Sequence, residues 1–187
     1  MDRTDELSAV FETPFGWCAI AWSEVGVTRF ALPAPTAIAA ERGLKRRSPA
    51  LGAGAPPPAI AEAVERTRRY FAGEATDFVD VPLDLGDREP FFAQVYQALR
   101  RVGWGCTTTY GALAAEVGGP REAARDVGRA MATNPTPLLI PCHRVLAAGG
   151  RLGGFSAPGG AETKARMLRL ERIDLGPPEP TQRAFAF

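Results

Sequence analysis

Apolar positions between Phe11 and Leu32 recur with the rhythm of strands. Pro14-Phe15-Gly16 has turn chemistry, Trp17 to Trp22 is almost continuously aromatic and apolar, and Gly26 precedes Val27, Phe30 and Leu32. Lys45 to Pro58 is rich in Pro, Gly and Ala and reads as a flexible loop. From Ala59 to Ala72 the spacing of Ile60, Val64 and Tyr70/Phe71, closed by Gly73, predicts a helix. Phe78 to Leu85 alternates enough to predict one more strand. A small mixed α/β unit ending near residue 88 is the expectation.

From Glu89 the period changes. Phe91, Phe92, Val95, Tyr96 and Leu99 fall at spacings of three and four, as on one face of a helix. A second helix is predicted from Thr109, a potential cap, to Val117, with Gly118-Gly119 to end it. Pro120 opens a third that runs to about Thr133, before Asn134-Pro135. Two short helices joined by a glycine-containing turn predict a helix-turn-helix. On the second, Ala123, Val127, Ala130 and Met131 suit a core, whereas Arg121, Arg125 and Arg129 recur every four residues on another side. Small Ala124 and Gly128 would let that backbone approach a groove closely. An arginine stripe alone is more often a solvated face.

Composition narrows the class. The chain has 187 residues, 45% hydrophobic and 23% charged, as in globular proteins. No apolar run is long enough to span a bilayer, and the N-terminus Met1-Asp2-Arg3-Thr4-Asp5-Glu6 lacks the character of a signal peptide, so no membrane partner is expected. Cys18, Cys106 and Cys142 suggest no disulfide framework, which points to a reducing cytoplasm. The net charge of +1 hides an asymmetry: residues 1–89 carry 10 Lys/Arg and 14 Asp/Glu (net −4), and residues 90–175 carry 11 and 6 (net +5). The basic half contains Cys142 and favours a polyanion.

The candidate chemistry lies in Pro141-Cys142-His143-Arg144-Val145, which joins the only histidine to a cysteine just after the apolar run Leu138-Leu139-Ile140. A thiol reacts as its thiolate, and a neighbouring base or cation can bring that form into reach. Taken alone, such a pair is more often structural. The surrounding segments change that balance. Thr107-Thr108-Thr109-Tyr110-Gly111-Ala112-Leu113-Ala114, Ala123-Ala124-Arg125-Asp126-Val127-Gly128-Arg129-Ala130, Asn134-Pro135 before PCHRV, Gly153-Gly154-Phe155-Ser156 and the closing Lys164 to Glu171 segment together resemble the O6-alkylguanine-DNA alkyltransferases. The resemblance covers about residues 70 to 173 well and reaches weakly into the strands before Leu32.

That resemblance implies an α+β protein: a ribonuclease H-like α/β domain over residues 1–88, a helical catalytic and DNA-binding domain with a helix-turn-helix over 89–175, and a Pro-rich tail over 176–187. It implies a monomer that binds alkylated double-stranded DNA through the minor groove, extrudes O6-methylguanine and moves the alkyl group irreversibly onto its own cysteine, with no cofactor and no metal. Cys142 would accept the alkyl group, and His143 would act as base through a water, since adjacent side chains in extended chain point apart. Glu171 would orient His143, Tyr110 would donate to the purine as charge develops, and Asn134 would brace the turn. Arg125 would fill the gap left by the base, with Ala124, Gly128, Arg129 and Arg121 on the DNA side. Met131, Val145, Phe155 and Ser156 would line the alkylguanine pocket.

Four departures from the family pattern stand out. There is one extra residue between Pro120 and Arg125, about two more lie in Ala157-Pro158-Gly159-Gly160-Ala161, and Phe155 stands where many relatives have tyrosine. Asp126 stands where a small residue is usual, and its carboxylate would repel phosphates unless Arg129 or Arg121 pairs with it. Two alternatives stay open: an alkyltransferase-like protein that binds lesions without accepting alkyl groups, against which Cys142 argues, and a helix-turn-helix alkylation sensor, for which no effector domain is visible. Activity on O4-methylthymine stays open.

Overall fold

The computed structural model describes residues 6–46 and 51–176. It is an α+β arrangement of a four-stranded sheet with flanking helices and a mainly helical second part. Strands β1 (Leu7–Thr13), β2 (Gly16–Trp22) and β3 (Val27–Ala34) form an antiparallel meander over the stretch that the sequence reads as strands. The β1–β2 turn is tied by Thr13 Oγ1, which donates to Gly16 O (2.7 Å). Gly16 sits at φ +122°, where a Cβ would lie 2.6 Å from Ala34 O, so only glycine fits.

Central β2 is buried on both faces, and its alternation sorts them. Cys18, Ile20 and Trp22 meet Phe11, Phe30 and Leu32 and the apolar side of helix α2 (Pro58–Phe71). Ala19 and Ala21 face the other way, and their small size lets helix α1 (Ala37–Lys45) lie close through Ala40 and Leu44. α1 was not foreseen. Its alanine-rich stretch buries too few large side chains to show a period, although Thr36 caps it by accepting from Ala39 N at 3.1 Å.

Two expectations are corrected. The segment predicted as a flexible loop contains β4 (Gly52–Ala53), which pairs parallel with Leu7 and Ser8 and is anchored by buried Leu51. Residues 47–50 of that segment lie outside the described residues. Phe78 to Leu85 is not a strand. It makes one bridge, Leu83 to Val27, because Pro82 has no N–H and the carbonyls of Phe78, Val79 and Val81 turn onto the Arg100 guanidinium at 2.6–2.9 Å.

Helix α3 (Pro90–Arg100) buries Phe92, Val95, Tyr96 and Leu99, as its spacing predicts. Thr109 caps α4 (Tyr110–Glu116), accepting from Ala112 N at 3.1 Å. The third predicted helix begins as a 3-10 turn, Arg121–Ala123, and continues as α5 (Ala124–Ala132) with Val127, Ala130 and Met131 buried. Helix α6 (Gly160–Leu170) closes the described part. No helix among the described residues is long and apolar enough to cross a membrane. The predicted tail beyond residue 176 lies outside the described residues.

The run Leu138-Leu139-Ile140 divides between two cores. Leu138 and Leu139 join the cluster under the sheet, whereas Ile140, Cys142 and Val145 join that of α3, α4 and α5. The Cys142 segment is therefore clamped where the two cores meet.

Candidate active site

The clamp is built by short polar ties. Asn134 Nδ2 donates to Ile140 O (2.9 Å) and its Oδ1 accepts from Thr136 N (3.0 Å), closing the loop that carries the apolar run. Phe30 N on β3 donates to Pro135 O at 2.9 Å, joining the loop to the sheet edge. Leu138 takes φ +80°, a costly conformation for leucine that its burial enforces. Cys142 begins a 3-10 turn, Cys142–Arg144, and β6 (Val145–Leu146) then pairs parallel with β5 (Thr108–Thr109). That pairing fixes Tyr110, the first residue of α4, relative to Cys142.

A cavity of about 310 Å³ is lined by Tyr110, Met131, Cys142, Phe155 and Ser156. Val145 is not brought to it. One step of alternation past the turn sends its fully buried side chain into the core instead. A second cavity of about 160 Å³ runs from Cys142 under Ser156 and Ala157 toward Leu32 and Leu44.

Burial pushes the Cys142 thiol up, against the lowering effect of Asn134, the Lys164 charge and local backbone N–H groups. Proximity to His143 in sequence does not produce a resting thiolate, so the thiol has to lose its proton during reaction. His143 is fully buried, and burial lowers its basicity although the Glu171 carboxylate 2.7 Å from Nε2 works the other way. Its Nδ1 is buried without a hydrogen-bond partner among the described residues.

Glu171, just past α6, is held as a carboxylate. Burial raises its pKa, but hydrogen bonds and charge from His143 and Arg144 overcome that and bring it to about 2. Arg144 Nε lies 3.1 and 2.9 Å from its two oxygens and Nη2 lies 3.0 Å from Oε1, while Nη1 donates to Val102 O. Tyr70 on α2 adds a hydroxyl 2.7 Å from Oε1. Lys164, also fully buried, donates from Nζ to Val145 O at 2.6 Å, and burial takes its pKa down to about 8.

Cys142, His143 and Glu171 thus meet around one buried core, with Asn134 bracing it and Tyr110 across the cavity. The sequence reading missed Tyr70, Arg144 and Lys164. Tyr70 reads as one more apolar position of its helix, and the two cations read as surface charges until their burial is known.

Comparisons with known proteins point to one family. Residues 90–173 match the family model "6-O-methylguanine DNA methyltransferase, DNA binding domain". A methylated-DNA–protein-cysteine methyltransferase of Mycolicibacterium paratuberculosis is 46% identical over 116 residues, covering 62% of this chain and 67% of that protein. The chain belongs to the methylated-DNA–protein-cysteine methyltransferase family. A family structure, the O6-methylguanine methyltransferase of Mycobacterium tuberculosis, superposes with a TM-score of 0.72 at 33% identity, over 89% of this chain and 93% of that one. A Thermus thermophilus "DNA base-flipping protein" is 42% identical over 132 residues, covering 69% of this chain and 86% of that protein.

In this family member α5 presents the second group of predicted residues. Arg125 is exposed, Ala124 is half-buried, and nothing lies within 4 Å of where a Cβ on Gly128 would be, so that flank is open. Arg129 is exposed but engaged: it meets Asp126 at 2.9 Å, and its guanidinium sits 5.6 Å from the Phe92 ring centroid. The side chain of Arg121 is outside the described structure.

Proposed function

We propose that this protein repairs alkylated duplex DNA by transferring the O6-alkyl group of an extruded guanine to Cys142 Sγ, once per molecule. The carrying observation is the Cys142 thiol at a cavity wall, with the buried His143–Glu171 pair beside it and Tyr110 across the opening. The thiol proton passes through a water to His143 Nδ1. Sγ then attacks the alkyl carbon, the S–C bond forms as the C–O6 bond breaks, and the released electron pair goes to the guanine. The Tyr110 hydroxyl donates to the purine as that charge develops, a stabilisation worth most in a water-poor site. Met131, Phe155 and Ser156 enclose the base and alkyl group, and no cofactor takes part.

Residues 1–88 form a ribonuclease H-like domain in this reading, supported by the sheet order β3-β2-β1-β4 with β1 and β4 parallel. Residues 89–175 form the DNA-binding and catalytic domain, with α4 and α5 as its helix-turn-helix. α5 enters the minor groove, Arg125 replaces the extruded base, and Ala124 and Gly128 permit close approach. The protein acts as a monomer in the cytoplasm, where its three free thiols stay reduced.

Intact-mass analysis after incubation with an O6-methylguanine duplex tests the transfer. One methyl per chain, mapped to the Cys142 peptide, is the expected result. Binding without mass gain would instead support a lesion-binding role, the alternative against which Cys142 argues.

The Asp126–Arg129 pair changes what is expected of the acidic position on α5. With its carboxylate partnered, Asp126 should repel phosphates little. Arg129→Ala exposes it and should weaken duplex binding at low salt by about fivefold, on the order of 1 kcal/mol. Adding Asp126→Ala to that variant should restore binding. Fluorescence anisotropy over a salt series reads both, and an Arg129→Ala protein that binds like the parent would remove the pair from the interface.

A further inference from the structure

We propose that Tyr70 is a positioning residue for alkyl transfer: its hydroxyl donates to the Glu171 oxygen that anchors His143 Nε2–H, tempering that anchor so that the imidazole rests neutral with Nδ1 open to the thiol proton. The inference rests on the reaction proposed above. It extends the active site to α2, a helix that packs under the sheet and is distant in sequence from the cysteine.

Tyr70 Oη lies 2.7 Å from Glu171 Oε1 and 3.2 Å from His143 Nε2. The ring is fully buried and held edge-on by Phe71 and Trp104, with centroids 5.0 and 5.1 Å away. The hydroxyl has little freedom to turn elsewhere. Glu171 Oε1 also faces His143 Nε2 at 2.7 Å and the Arg144 guanidinium at 3.0–3.1 Å. Only an ionised carboxylate, which accepts and never donates, satisfies that many donors.

The proton count follows. With Glu171 ionised, the tyrosine proton goes to Oε1, and a bare Nε2 would face the same oxygen with no proton between them. Nε2 therefore carries the hydrogen, leaving the lone pair on Nδ1, the buried nitrogen without a hydrogen-bond partner among the described residues. If the hydroxyl turned to donate to Nε2, the hydrogen would move to Nδ1 and the base would be lost. A donor on the carboxylate tempers its pull on the imidazole and helps keep His143 neutral.

The charged and titratable groups around His143 are Glu171 and Lys164 from the α6 region, Arg144 and Cys142 on its own turn, and Tyr70 on α2, with Asp77 reaching Arg144 at 3.7 Å. Tyr70 can be altered there without changing the net charge.

His143 is the only histidine in the chain, so the imidazole nitrogen signals of the whole protein, labelled with 15N-histidine, belong to it alone. The parent should show the Nε2–H tautomer; a predominant Nδ1–H signal would overturn the proposal with no variant needed. Tyr70→Phe removes only the hydroxyl. It should raise the His143 titration midpoint by about half to one pH unit and move the low-pH limb of transfer to free O6-benzylguanine by the same amount. Phe71→Leu loosens the same helix without touching Glu171 and should lower Tm with no such shift. A Tyr70→Phe midpoint equal to the parent's would make Tyr70 a packing residue only. A shifted midpoint in a protein that accepts no alkyl group would overturn the repair reading and leave the hydrogen-bond assignment intact.

Discussion

Cys142→Ala should bind alkylated duplex within about twofold of the parent and gain no mass on incubation with it. In the proposed binding mode the duplex is held by α5 and by phosphate contacts, and the Cys142 side chain is almost entirely buried, with 5% exposure. No other thiol can replace it. Cys18 is buried under the sheet and pushed up to about 12 by burial, and Cys106 is exposed but does not line the cavity. Ser156 does line it, but an alcohol cannot take the place of a soft thiolate in displacement at carbon. Deleting one sulfur from a tight site costs little stability, about 1 kcal/mol. A variant that folds yet loses duplex binding along with transfer would show that the cysteine supports the binding surface. The measurement is paired anisotropy and intact mass on the same sample.

The parts of the fold legible in the sequence are those with a side-chain period. β1 to β3, α2 and α3 each carry enough large apolar residues to reveal a repeat of two or of about 3.6, whereas α4 is legible from its Thr109 cap and its Gly118-Gly119 stop. β4 carries none, because Gly52 and Ala53 pair through backbone alone, and α1 is legible only at Thr36. Phe78 to Leu85 misleads because its apolar residues fill a turn held by Arg100, an interaction invisible without the third dimension. The site divides in the same way. Cys142, His143, Glu171, Asn134 and Tyr110 come from a linear pattern, and the structure places them around one cavity and its supporting network. Tyr70, Arg144 and Lys164 owe their positions to burial and partners, which no spacing encodes. Val145 shows the converse: lying three residues from Cys142 does not place a side chain in the pocket, since the chain turns in between.

Glu171→Gln should be the most disruptive single substitution in the network. It removes the countercharge of Arg144, whose side chain is only 4% exposed. Among the described residues, Asp77 at 3.7 Å is the other carboxylate the guanidinium meets, and it is itself 57% exposed. A buried charge left without its partner costs about 3–5 kcal/mol, a large part of the stability of a typical domain. The amide also brings two N–H donors to a place that already holds the donors of Tyr70, His143 and Arg144.

The pH dependence identifies the cause. The folded-state pKa of Glu171 is depressed from 4.5 to about 2, so its contribution is fully present above about pH 4.5 and is lost as pH falls through about 2. The stability gap between parent and Glu171→Gln should therefore be widest near neutral pH and narrow between about pH 4.5 and 2. Transfer should fall by about a hundredfold or more, because the imidazole loses its charged anchor at Nε2 and must compete with Tyr70 and Arg144 for a single amide oxygen. Urea unfolding at pH 7 and pH 3, with single-turnover transfer at pH 7, measures both effects. Equal urea midpoints at pH 7 would mean that Arg144 is neutralised elsewhere, and that the carboxylate does not hold the active-site segment in place.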